Sequence, residues 1–149
     1  MREHNREVFA LISKIHRSHK LAEVYPQCLL FMVDCLQLVE HGLPPVAQHA
    51  LAVAEKFCNG TASAKQLLEQ KLLCWNYLDE RKLSFAFELK RARLVRATLC
   101  ALYPEVPEEG DVYVLLEWFM EMLDPGGRLE HRTLELLKLR FDSPVACLQ

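Results

Sequence analysis

Six cysteines and six histidines have the widest chemical reach of any residues in this chain. A Cys–His pair in space would carry nucleophilic chemistry. Several together would hold zinc. The spacing argues against both. No Cys-x-x-Cys pair is present, which excludes a zinc ribbon or a thioredoxin-like motif. His16 and His19 share a helix face at i, i+3, but no His-Glu-x-x-His accompanies them. Imidazolium near a helix C-terminus is favoured there without a metal. Cys28 and Cys35, with His41 nearby, have the i, i+7 spacing that a core stripe produces on its own. Cys28, Cys35, Cys58, Cys74 and Cys100 lie inside apolar helical pattern, where a free thiol acts as a small buried hydrophobe. Cys147 is the sixth. Gly-x-Ser-x-Gly and glycine-rich phosphate loops are absent from the sequence. The expectation is a non-enzyme with no metal and no cofactor. An enzyme with a Cys/His site is kept as an alternative.

Charged clusters offer binding rather than catalysis. Lys82, Lys90, Arg93 and Arg96 project onto one sector of roughly 120° if the fifth helix is continuous. Such a strip would contact phosphates in a nucleic-acid-associated regulator. No aromatic is set among these cations to stack bases. Arg91 falls on the side of Phe87, Leu94, Val95 and Thr98, which calls for a carboxylate partner. The sharper signal is acidic. Glu117, Glu121 and Asp124 lie within roughly 60° of one another on the sixth helix. The opposite arc holds Val112, Leu115, Leu116, Trp118, Phe119, Met122 and Leu123. With Glu108, Glu109 and Asp111 just before it, this helix forms an acidic surface for a basic protein partner.

These clusters need elements to carry them, and seven helical segments are readable. The first runs from about Glu3 to His19. The second starts near Pro26, ends at His41-Gly42, and is apolar nearly all round, so it belongs at the centre. The third starts at Pro44-Pro45 and sets Ala47, Ala50, Leu51, Ala54, Phe57 and Cys58 on one arc. Gly60 then stops it, and Ser63 with Gln66 makes a capping box for the fourth, which carries Leu67, Leu68, Cys74, Trp75 and Leu78. The fifth spans about Leu83 to Leu102, the sixth Asp111 to Leu123, and the seventh Leu129 to Arg140. Asp124-Pro125-Gly126-Gly127 separates the last two. From about residue 142 the tail is expected to be loose.

The fold class expected is all-α, one compact bundle of about seven helices over residues 1–149. At 149 residues, roughly 70% of the unfolded surface can be buried, so the core needs no staples. Disulfides are not expected, and a reducing cytoplasm is the simpler setting. The most apolar run, Cys28 to Val33, is followed at once by Asp34, far short of the ~20 residues of a membrane span. The charged start, Met1 to Glu7, does not look like a signal peptide. The net charge of −2 is uneven. Residues 1–102 hold 14 Lys/Arg against 10 Asp/Glu, and residues 103–149 hold 4 against 10. A chain-wide basic footprint for nucleic acid is therefore missing, and the last third can present an acidic face.

One stretch resembles a family. Ala50, Leu51, Ala54, Glu55, Phe57, Gly60, Ser63 and Leu67 lie in the 18 residues from Ala50 to Leu67. There an alanine-rich helix bearing Glu and an aromatic ends in a glycine turn, and a Ser-capped, Leu-bearing helix follows. This pattern resembles small all-helical bacterial toxin-immunity proteins. The resemblance implies a cytoplasmic protein that binds and blocks one cognate toxin and has no chemistry of its own. The matched positions read as structural, so no inhibitory residue is carried over. The acidic sixth helix supplies the surface expected to cover a basic toxin cleft.

Overall fold

The Gly60–Ser63 junction forms by two interlocking devices. In the computed structural model, which describes residues 4–18, 20–83, 89–107 and 111–141, the helix Pro45–Cys58 (α3) ends in a Schellman turn. Thr61 N–H donates to the Lys56 carbonyl at 2.8 Å and Gly60 N–H to the Phe57 carbonyl at 3.1 Å. Gly60 sits at φ +79°, a conformation that L side chains rarely adopt. The helix Ala64–Glu80 (α4) then starts on a complete capping box. Gln66 N–H donates to Ser63 Oγ at 3.1 Å, and Ser63 N–H donates to Gln66 Oε1 at 2.8 Å. Such a cap contributes about 1 kcal/mol.

Five more helices complete the all-α bundle: α1 (Arg6–Ser18), α2 (Tyr25–Leu38), α5 (Lys90–Cys100), α6 (Val112–Leu123) and α7 (Glu130–Phe141). No strand occurs among the described residues. His41-Gly42 belongs to a separate short 3₁₀ turn, Glu40–Gly42, because α2 stops at Leu38. The fifth helix is shorter than expected. Leu83 terminates α4 instead of opening α5, and residues 84–88 lie outside the described residues.

The centre of the fold is α2, which touches α3, α5, α6 and α7. Its Cys28, Phe31, Met32, Cys35 and Leu36 are fully buried. The Phe31 ring meets Phe119 of α6 edge-on at 6.4 Å, an aromatic contact that adds about 0.5–1.5 kcal/mol beyond burial. Leu21–Leu38 has the length and apolar character of a membrane span, and half of that stretch is buried within the bundle. A core helix gives the same composition.

Around α2, α3 pairs with α4, α5 packs on both α4 and α6, and α1 packs on α6 and α7. Polar bonds join the chain ends to this frame. Arg140 of α7 makes two bonds to the Asp34 carboxylate of α2, 2.7 and 3.1 Å. Asn5 Nδ2 donates to the Asp124 carbonyl at 2.8 Å.

Candidate protein-binding groove

α6 is fixed by a cap at its start and by packing along its inner side. Asp111 caps its start by accepting from Tyr113 N–H at 2.8 Å. Val112, Leu116, Phe119, Met120 and Leu123 pack its inner side into the core. That leaves Val114 and Trp118, four residues apart, 43% and 50% exposed. Trp118 falls at the edge of the apolar arc, and the bundle leaves that edge uncovered.

The acidic set divides. Glu121 is exposed and Glu117 half-buried, on the same side of α6 as Val114. Asp124 does not belong to this surface: it is buried, and its carboxylate accepts from Arg128 N–H at 3.0 Å and Leu129 N–H at 2.9 Å. It serves the turn into α7, where two otherwise unsatisfied amides need an acceptor. Glu108 and Glu109 lie outside the described residues.

Of the basic strip, Lys90, Arg93 and Arg96 lie on α5 and Lys82 does not. Lys82 sits in the turn after α4 at φ +57°, not on α5. Arg93 is half-buried and donates to the Met122 carbonyl at 3.2 Å. The Arg96 guanidinium stands 5.5 Å over the Trp75 ring, and burial lowers its pKa. Lys90, at the first turn of α5, is exposed. Arg91 is also exposed and not on the core side where helical projection put it.

The thiols are placed for packing. Cys28, Cys35 and Cys74 are buried, and Cys58 and Cys100 are half-buried. Burial pushes Cys58 up to about 11, and Cys28 and Cys74 up to about 12. A nucleophilic cysteine needs the opposite shift. The His16 ring lies tilted against Tyr113 with centroids 5.7 Å apart, and His131 pairs with Glu135 at 3.2 Å. His19 and Cys147 lie outside the described residues. Among the described residues no three His, Cys, Asp or Glu side chains gather as a metal site.

What the fold does assemble is a groove of about 1120 Å³ above α5, open to solvent. Its α4 bank is Ala64, Leu68 and Trp75. Its α6 bank is Val114, Leu115, Trp118 and Met122. Arg96, Leu99, Cys100 and Tyr103 line the α5 side, and Glu105 and Asp111 complete the polar lining. Tyr103 is fixed from below, because Tyr25 Oη donates to its carbonyl at 2.8 Å. Lys71 Nζ rests 4.1 Å over the Tyr103 ring.

Sequence reading missed this groove because α4 carries two apolar stripes. Leu67, Gln70, Cys74 and Leu78 form the buried one. Leu68, Leu72 and Trp75 form a second, roughly 100° away and 37–61% exposed. An apolar arc wider than one packed face needs was the available signal. No family model, curated protein or solved structure matches the chain.

Proposed function

We propose that this chain is a non-catalytic protein-binding domain, acting as a cytoplasmic immunity protein that neutralises a cognate bacterial toxin. The observation that carries the reading is the outer face of α6. It exposes Val114 and Trp118 beside Glu117 and Glu121 on a helix capped at its start and packed along its length. Exposed tryptophan on a rigid element is a typical binding anchor. Neighbouring carboxylates select and steer a basic surface. Burial raises the Cys28 and Cys74 thiols, opposite to the shift a nucleophile needs. The mechanism is occlusion: α6 covers the basic substrate cleft of the toxin and keeps its substrate out.

Pull-down from the native host followed by charge reversal tests this. Glu117→Lys with Glu121→Lys should weaken partner binding at least tenfold while helical circular dichroism stays unchanged. Unaltered affinity in the folded double variant rejects the acidic face. A captured partner without toxicity in the absence of this chain rejects the immunity reading.

A further inference from the structure

We infer that the groove between α4 and α6 receives an amphipathic helix of the protein partner, with Lys or Arg along the edge facing α6. This rests on the protein-binding reading and adds the second bank, α4, to it. Eight large apolar side chains are exposed among the described residues, and four of them, Leu68, Trp75, Val114 and Trp118, line this groove. Leu72, 61% exposed, continues the α4 stripe.

The spacing on each bank fits a helix. Leu68, Leu72 and Trp75 follow i, i+4, i+7, and Val114 and Trp118 follow i, i+4. Two such ridges flanking α5 leave a channel for a third row of helical knobs. A strand would need a sheet edge, and none exists among the described residues. The volume, about 1120 Å³, lies at the upper limit of small-molecule pockets, and the site is open.

Charge sets the orientation. Glu105 and Asp111, the first at the loop before α6 and the second at its N-cap, line the groove, and Glu117 and Glu121 lie on α6 beside the lining. On the other side, Lys71 and Arg96 sit over Tyr103 and Trp75. A partner helix therefore places its basic edge on α6 and its apolar edge between the tryptophans. A second copy docked groove to groove about an axis crossing the helices would set α6 against α6, which like-charge repulsion opposes.

The test is panning of a surface-displayed library, one randomised helix face on a helical scaffold, against the full chain. Enriched clones should carry apolar residues at i, i+4, i+7 with Lys or Arg beside them. Their synthetic peptides should shift the tryptophan emission and bind at least tenfold more weakly to Leu68→Glu and to Trp118→Ala. Circular dichroism checks that both variants fold. No enrichment over empty scaffold, enrichment of acidic helices, or binding unchanged in both variants overturns the inference. So does self-association by sedimentation that Trp118→Ala abolishes. The α4 bank separates this inference from the proposed function. If Leu68→Glu leaves the native partner's affinity unchanged while reversal at Glu117 and Glu121 destroys it, the groove falls and the α6 face stands.

Discussion

Arg140 Nε lies 2.7 Å from Asp34 Oδ2, and its Nη2 lies 3.1 Å from Oδ1, so α7 is forked onto α2 across 106 positions of sequence. The carboxylate raises the Arg140 pKa through that bond. The pair is part-exposed, at 30% and 14%, so it is worth less than a fully buried one. Arg140→Ala is expected to lower the unfolding free energy by about 1–2 kcal/mol. Arg140→Lys should recover less than half, because an ammonium cannot reproduce the two-pronged geometry. Urea denaturation of the three proteins measures both.

Lys82 closes α4 in the left-handed region, at φ +57°. Leu83 N–H donates to the Leu78 carbonyl at 2.7 Å and Lys82 N–H to the Asp79 carbonyl at 3.1 Å, the same turn that Gly60 makes after α3. A side chain there is strained where glycine is not. Lys82→Gly should raise stability by about 0.5–1 kcal/mol, read as a rise in Tm. A fall in Tm would mean that the lysine side chain contributes more than its backbone strain removes.

Trp118 and Phe119 are neighbours with opposite fates, 50% and 0% exposed. Phe119→Ala should destabilise by about 3–5 kcal/mol. Trp118→Ala should change stability by less than about 0.5 kcal/mol. Parallel thermal melts check the contrast, and a large loss at Trp118 would make it a packing residue.

Burial holds the thiols of Cys28 and Cys74 neutral, pushed up to about 12. In the unfolded chain a thiol ionises near pH ~8.5. The unfolded state therefore binds fewer protons as pH rises through that value, and stability falls. This contribution is complete below pH ~8.5 and declines from there toward pH 12. The slope is roughly 1.4 kcal/mol per pH unit for each thiol. Urea midpoints at pH 8, 9 and 10 under reductant give the slope, and Cys74→Ala should flatten it.

The helices were legible where local grammar is strong. Gly60, Ser63 and Gln66 form the turn and box that their types prescribe, and α2 is central as its apolar surround requires. The candidate site was legible only in part. Asp124 looks like a member of an acidic face on a helical projection, yet it is the last residue of its turn and folds inward to cap α7. Trp118 looks like core by the same projection and is half exposed. Periodicity gives the angle of a side chain about its own axis and does not say how many neighbours surround that axis. The groove arises from the spacing of α4 and α6 across α5, which no local window contains. Lys82 was misplaced for a different reason: a left-handed lysine carries no glycine-like mark.

The bond from Asn5 to the Asp124 carbonyl can close only after most of the chain has been made. The two residues are 119 positions apart, a gap that takes about 6–24 s to synthesise at ordinary ribosomal speed. α1 packs on α6 and α7, both synthesised after it. Until then its apolar side, Val8, Phe9, Ile12 and Ile15, lacks these two packing partners. α1 is thus made before these two packing partners, and a nascent chain stalled before α6 leaves its apolar side without them.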